Sequence, residues 1–600
     1  MEHGFVRLAA CIPKVTIADC EQNLREIKTL IDRAEAERVD VLVFPARSLT
    51  GATCGDLFYQ STLLTAAERA LAALCAYTAT IRPLVVVGLP VLVGHRLFDC
   101  AAFISRGKLL GIVPTEPGDF DEITLADETV PFGADLRFLC REHPALALGA
   151  GAMVQAELAA EPEQLGSAEA RRQRLAHDSA RNIAAIVYAG AGTGESTTDA
   201  VFSGHGLIAE HGHIHAETAR FQPDSRLVYS DIDLELLQAE RLHAAYADDN
   251  TVRTVPFSLP PITRPLARAV SAAPYLPPGS LDMHCREAFT IQTAALWQRF
   301  EASGCKTAVI GVSGGLDSTL ALLVTAATFA AMGRDKADIL AVTMPGFGTT
   351  DRTHTNARSL MNALGVTCRE ISIVKACEQH FADIGHDPQV QDITYENTQA
   401  RARTQILMDL ANQVGGLVIG TGNLSEMALG WSTYGGDHLS MYAINAGLPK
   451  TLLREVTAWL ADSKQFGAAI SETLADILNA PISPELLPPD GAGVIRQKTE
   501  DIIGPYELHD FFLYYVLRYG FSPRKIVCLA EHAFAGRYGR SVLIKWLEVF
   551  YRRFFASQFK RSCSPDGPQI GSVSLSPRSG WQMPSDAAGT AWLIELDQLK

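Results

Sequence analysis

Ser313-Gly-Gly-Leu-Asp-Ser-Thr319 sits between the short apolar run Thr307–Val312 and the longer apolar run Thr319–Met332. The first run suits a buried strand and the second a buried helix, so the order is strand, loop, helix. Adjacent glycines let the backbone turn sharply, and successive amide hydrogens can then converge on one anion. The helix behind adds its N-terminal partial positive charge. Ser313, Ser318 and Thr319 supply hydroxyls. Asp317 would repel a bare phosphate, so it implies a magnesium ion between the two.

Outward from this loop the pattern repeats. Ile339–Met344, Val366–Ile373 and Leu417–Gly420 read as strands, and Arg352–Leu364 and Asn397–Val414 as helices. Strand–helix alternation of this kind predicts a doubly wound parallel sheet with its ligand beyond the carboxyl ends of the strands. The N-terminal half is also α/β. It has strand candidates at Phe5–Ile12, Val39–Phe44, Leu84–Gly88, Cys100–Ile104, Leu109–Val113 and Ile183–Tyr188, and helices at Cys20–Ala36 and Ser61–Tyr77. Prolines at 256, 260, 261, 265, 274, 277 and 278 mark a segment unsuited to helix or central strand. The expected division is therefore 1–255, a connector 256–284, and 285–600, with a loop-rich tail from Cys563 onward.

The 600 residues exceed one ordinary core. Acids outnumber bases 67 to 52, a net charge of −15, which disfavours nucleic acid as a partner. Twelve cysteines without a Cys-x-x-Cys pair predict neither a disulfide framework nor a zinc ribbon and fit a reducing compartment. Met1–Arg7 carries an acid and no apolar run, so no secretory leader is expected; the longest apolar helical candidate, Thr319–Met332, is short of the ~20 residues that span a bilayer, and the location expected is cytoplasmic. The chain contains neither Gly-x-x-x-x-Gly-Lys-Ser/Thr nor Gly-x-Gly-x-x-Gly, which weighs against ordinary kinases, GTPases and dehydrogenases.

Ser-Gly-Gly-x-Asp-Ser is similar to the pyrophosphate loop of the N-type ATP pyrophosphatases (adenine nucleotide alpha hydrolase-like), which split ATP between its α and β phosphates. Within that class, Met344–Arg352, Tyr395–Arg401, Gly420–Glu426, Gly430–Tyr434, Asn445–Lys450, Pro484–Pro489, Tyr506–Asp510 and Phe559–Cys563 resemble NAD synthetase. The resemblance implies adenylylation of deamido-NAD (nicotinic acid adenine dinucleotide) by ATP with Mg²⁺, then displacement of AMP by ammonia. It implies ATP contacts at Gly311, Val312, Ser313, Gly314, Gly315, Leu316, Asp317, Ser318 and Thr421. Contacts to deamido-NAD are implied at Asn397, Glu426, Trp431, Ser432, Thr433, Tyr434 and Lys560. Asp317 and Glu426 are the candidate catalytic carboxylates and metal ligands. Glu426 also reads as a helix-capping acid, Trp431 and Tyr434 as core aromatics, and Lys560 as part of a solvated basic run with Arg552, Arg553 and Arg561.

The N-terminal half is similar to the nitrilase-type (carbon–nitrogen hydrolase) glutaminases, which implies an α-β-β-α sandwich. That family uses a glutamate base, a lysine and a cysteine nucleophile. The glutamate motif here reads Phe44-Pro-Ala46-Arg47, so Ala46 takes its place. The lysine motif reads Gly111-Ile-Val-Pro-Thr115. The cysteine strand is represented by Leu146–Met153, and there is no cysteine between Cys140 and Cys285. A triad rebuilt from Cys140 with Glu116 or Glu122 is not expected, because Cys140 lies in a charged stretch upstream of that strand. The expectation is an ammonia-dependent synthetase with a degenerate amidase half, glutamine dependence through a rebuilt or partner-supplied site being the alternative. A separate amidase is then a possible partner as the ammonia source. The resemblance also implies a homo-oligomer, a dimer through the synthetase domains or an octamer. Rival readings are a tRNA-thiolating or asparagine-forming relative of the same loop class, and a non-catalytic scaffold.

Overall fold

The computed structural model describes residues 2–118, 120–125, 127–246, 251–277, 279–480, 486–487 and 499–600. Pro278, and the motif Pro484–Pro489 apart from Leu486 and Leu487, lie outside the described residues. The chain folds as two units, Met1–Ala269 and Val270–Lys600.

In the first unit, β1 (Phe5–Ile12), α1 (Cys20–Ala36), β2 (Val41–Val43), α2 (Ser61–Tyr77), β3 (Leu84–Val93), β4 (Arg96–Ser105) and β5 (Lys108–Pro114) are followed by a small hairpin, β6 (Glu122–Leu125) and β7 (Glu128–Pro131). Next come β8 (Leu136–Cys140), β9 (Ala147–Gly149), β10 (Val154–Ala159), α3 (Ser167–Arg181), β11 (Ala185–Gly190), β12 (Gly206–Glu210), β13 (His213–Glu217), β14 (Arg226–Asp233), α4 (Leu234–His243) and β15 (Arg253–Phe257). One sheet has the order β14-β1-β2-β3-β4-β5 and the other β13-β12-β11-β10-β9-β8-β15.

Strand periodicity builds the layers. On β1, Ala9 and Cys11 pack with Ile27 and Leu30 of α1 and Leu71 and Leu74 of α2. The alternate residues Val6, Leu8 and Ala10 pack against Leu148, Val154 and Val187 of the second sheet. Leu175 of α3 covers that sheet's outer face over Ile186, Tyr188 and Leu207. The result is the expected α-β-β-α sandwich.

Proline-bearing β15 is an edge strand beside β8, where a missing amide donor is tolerated. The connector past it stays on the first unit. Arg82 pairs with Asp40 at 2.6 Å and donates to Pro260 O, Arg7 pairs with Asp231 at 2.9 Å and donates to Pro265 O, and Arg264 pairs with Asp40. These buried pairs hold the proline-rich stretch in the first unit as far as Ala269.

The second unit opens with α5 (Leu281–Ser303), β16 (Ala308–Gly311), α6 (Leu316–Ala331), β17 (Ile339–Thr343), α7 (Asp351–Leu364), β18 (Thr367–Glu370), α8 (Val374–Ile384), α9 (Ile393–Val414), β19 (Leu417–Gly420), α10 (Leu424–Leu429) and β20 (Tyr442–Ala443). Helices α11 (Lys450–Ser463), α12 (Ala468–Leu478), α13 (Thr499–Ile503), α14 (Tyr506–Tyr519), α15 (Pro523–Ala533), α16 (Arg540–Ala556), α17 (Gln558–Arg561) and α18 (Thr590–Asp597) follow. The sheet is parallel, in the order β18-β17-β16-β19-β20. Ala308 and Ile310 face Leu320 and Leu323 of α6, while Val309 and Val342 face Leu410 of α9 and Phe381 of α8, so both faces are covered. Between α17 and α18 the chain has no helix or strand but packs on the unit: Val573 and Leu575 are buried, and α18 buries Leu596. Among the described residues no helix is long and apolar enough to cross a membrane.

Candidate active site

Strand order reverses between β16 and β19, since β17 and β18 lie to one side of β16 and β19 and β20 to the other. Loops leaving adjacent strands there diverge and open a crevice. A cavity of about 330 Å³ occupies it, lined by residues of both loops.

The loop after β16 is built as the glycines demand. Gly314 has φ +83°, and a Cβ there would stand 2.0 Å from Thr353 O. Gly315 caps α6, and its amide donates to Ser313 Oγ at 3.2 Å. Ser313 and Ser318 hydroxyls lie 3.1 Å apart. The loop after β19 starts α10 with a reciprocal cap: Asn423 Oδ1 accepts from Glu426 N at 2.9 Å, and Glu426 Oε2 accepts from Asn423 N at 3.4 Å. Glu426 is thus a capping acid and a cavity residue together, each role using one carboxylate oxygen.

The two loops meet on Asp317. Its Oδ1 accepts from Asn423 Nδ2 at 2.8 Å and its Oδ2 from Lys450 Nζ at 2.6 Å, and the same ammonium lies 3.4 Å from Glu426 Oε1. Lys450 is 4% exposed at the start of α11. Burial and the neighbouring Asp317 raise the Glu426 carboxyl to about 7, while the two carboxylates outweigh desolvation and hold the Lys450 ammonium in its charged form. Asn445 Nδ2 donates to Asp317 O and Thr421 O, both at 3.0 Å, and ties the loops through their backbones.

Of the expected site residues, Gly311, Val312, Ser313, Asp317, Ser318, Thr421, Glu426, Trp431, Ser432 and Lys560 line the cavity. Gly314 and Gly315 shape the loop, and Leu316 packs in the hydrophobic core. Asn397 supports the wall: its Oδ1 accepts from Thr433 Oγ1 at 2.8 Å, which leaves Thr433 buried and Tyr434 exposed beside it. Lys560 is not on a solvated face, since its ammonium donates to Gly430 O and Ser432 O at 2.8 and 2.7 Å. Arg553 stacks over Trp431 at 4.9 Å. Sequence reasoning missed Lys450, Asn423 and Asn445, although all three stand inside quoted motifs. The signal was a lysine beginning a helix after a loop, which local pattern alone reads as an exposed residue.

Among the described residues no group of three or more His, Cys, Asp or Glu side chains is placed to hold a metal. Two carboxylates at the mouth of a phosphate-type loop instead suit Mg²⁺, which keeps several waters and takes its remaining oxygens from substrate phosphates.

In the first unit, Ala46 follows β2 and is buried. Next to it Arg47 pairs with Asp99 at 3.3 Å and stacks on Phe58. Thr115 turns its hydroxyl back onto Asp99 O at 3.0 Å, and Met153, after β9, packs on the core between the sheets. Glu195 accepts from Ala52 N, Thr53 N and Thr53 Oγ1 at 2.6–2.9 Å, in the loop that follows Ala46. The buried Cys54 thiol donates to Thr50 O at 3.2 Å, and burial raises it above the ordinary thiol range.

Cys140 ends β8, a strand that sequence reading missed, and lies toward the end of the sandwich where β2 begins. Its neighbour Glu142 accepts from Leu259 N, and Pro260 binds Arg82, which pairs with Asp40 at the start of β2. Ala46 follows the other end of that strand.

The NAD synthase family signature matches residues 290–516 and the carbon–nitrogen hydrolase signature residues 7–207. The glutamine-dependent NAD(+) synthetases of Mycobacterium tuberculosis and Mycobacterium leprae are each 39% identical to the chain, over 100% and 99% of its length respectively and 98% of their own. A crystal structure of a glutamine-dependent NAD(+) synthetase from Cytophaga hutchinsonii, 20% identical, superposes with a TM-score of 0.44 over 99% of this chain and 100% of that one. The chain therefore belongs to the two-domain NAD synthases, carbon–nitrogen ligases that carry a carbon–nitrogen hydrolase fold and an NAD synthase fold on one polypeptide.

Proposed function

We propose that the second unit converts deamido-NAD to NAD⁺ by adenylylating the nicotinate carboxylate with ATP, releasing pyrophosphate, and passing the acyl group to ammonia with loss of AMP. The observation that carries this is Asp317, Lys450 and Glu426 joined at the crevice between the β16 and β19 loops. An ionised carboxylate is a poor electrophile, and the mixed anhydride gives it a good leaving group. No protein nucleophile is required, so alignment and charge neutralisation supply the catalysis.

The Ser313–Ser318 loop offers amides and hydroxyls to the diphosphate that leaves. Lys450 places a fixed positive charge against the same phosphates. Asp317 and Glu426 would hold Mg²⁺ entering with the nucleotide, which neutralises phosphate charge. Lys560 and Trp431 form the far wall, where the dinucleotide acid would lie.

For the nitrogen donor we propose ammonia. Ala46, Thr115 and the thiol-free Leu146–Met153 leave no base, oxyanion cation or nucleophile where the amidase family has them, and Cys54 and Cys140 are buried in structural contacts. A second reading, in which glutamine is the donor through a rebuilt or partner-supplied site, draws support from the name of the mycobacterial relatives, glutamine-dependent NAD(+) synthetase. The two are separated by purified protein given ATP, deamido-NAD and either ammonium or glutamine. NAD⁺ from ammonium alone supports the first; equal rates with glutamine and stoichiometric glutamate overturn it. No NAD⁺ with either donor overturns the synthase assignment.

A further inference from the structure

Tyr506 opens α14 inside the motif Tyr506–Asp510, which has no task in the adenylylation chemistry. Its side chain is 2% exposed, it lines the crevice cavity, and its hydroxyl has no hydrogen-bond partner among the described residues. The Lys450 ammonium lies 5.5 Å from the centre of its ring. The ring therefore packs beside the ammonium that Asp317 and Glu426 share. A buried hydroxyl left without an acceptor is costly, and native structures rarely keep one. A phenol O–H can both donate and accept, and neither capacity is used by the described residues. A hydrogen-bond acceptor entering the cavity would satisfy it.

We propose that Tyr506 is a further substrate-binding residue whose hydroxyl donates a hydrogen bond to a phosphate oxygen of bound ATP, on the side of the triphosphate facing Lys450. The assignment rests on the proposed synthase reading and extends it. Lys450 neutralises charge there, and Tyr506 adds direction: a rigid aromatic ring delivers one O–H along one line, which a flexible ammonium does not.

Tyr506→Phe removes one oxygen and leaves the ring. In the protein without nucleotide, the melting temperature of this variant should equal or exceed that of the parent, because an unsatisfied polar atom has been deleted. With ATP, its affinity or turnover should fall by roughly 10- to 100-fold, the range for a hydrogen bond to a charged group. The rise in melting temperature produced by inorganic pyrophosphate should shrink in parallel. Unchanged kcat and KM for ATP overturn the proposal. So does a lower melting temperature without nucleotide, which would mean that the hydroxyl's acceptor belongs to the protein. If the parent protein makes no NAD⁺, the synthase reading fails first; if the parent is active and the variant is unaffected, only the Tyr506 assignment fails.

Discussion

The ammonium of Lys450 rests 2.6 Å from the carboxylate of Asp317, with Lys450 4% and Asp317 21% exposed. Asp317 comes from the loop after β16, and Lys450 begins α11, which follows β20. The pair therefore closes the crevice from both sides of the strand-order reversal. Its formation needs the whole sheet, and no local stretch of sequence displays it.

Lys450→Met is expected to abolish catalysis and to cost about 3 kcal/mol of stability, since two partly buried carboxylates lose their shared cation. Denaturant unfolding checks the second effect and pyrophosphate exchange the first. Full stability with full activity would make the pair incidental.

Gly314→Ala should disable the loop without dismantling the sheet. The residue sits at φ +83° with Thr353 O 2.0 Å from the added methyl, so the turn must move. The left-handed backbone alone adds about 1–2 kcal/mol. A thermal-shift titration should show that ATP no longer stabilises the variant, while its circular dichroism matches the parent.

His509 and Asp510, adjacent on α14, should oppose one another in acid. Burial lowers His509 to about 4, so the unfolded chain takes up a proton below pH 6.5 that the native one refuses, and stability falls as pH drops through that window. Burial raises Asp510 to about 6 even though Ser425 and Thr451 bond it, so the native chain holds a proton above pH 3.8 that the unfolded one has lost, and stability rises as pH drops from 6. Between pH 4 and 6 the two largely cancel. Asp510→Asn should therefore steepen acid destabilisation by up to about 1.4 kcal/mol per pH unit, and His509→Phe should flatten it. Identical slopes in urea unfolding at pH 4.5, 5.5 and 6.5 for all three proteins would contradict this.

Cys54→Ser and Cys140→Ser should leave every rate of NAD⁺ formation unchanged, because both thiols are buried and face carbonyl or carboxylate oxygens of the fold. Selective loss of glutamine-supported synthesis in either variant would reveal a rebuilt amidase site.

How far the sequence could be read depended on whether the signal was local. The Ser313–Thr319 loop was legible because strand, glycine turn and helix are consecutive, and the same held for β1, α1, α2 and β19, whose bounds follow apolar periodicity. Short half-polar strands such as β8 and β10 were not legible, since they acquire their form from neighbours in the sheet. At the site, Asp317 and Glu426 were visible as acids beside glycine loops. The bond from Thr433 to Asn397, and the approach of Lys450 and Tyr506, emerged only when distant motifs met in space.

In the proposed reaction, activation of a carboxylate by ATP at the Ser313–Ser318 loop precedes any involvement of a nitrogen donor, and everything proposed for the second unit depends on it. Exchange of labelled pyrophosphate into ATP, measured with deamido-NAD and Mg²⁺ but without ammonium or glutamine, tests that step alone. Exchange that requires deamido-NAD and disappears in Asp317→Asn is the predicted result. No exchange by the parent protein, or undiminished exchange by the variant, would contradict it.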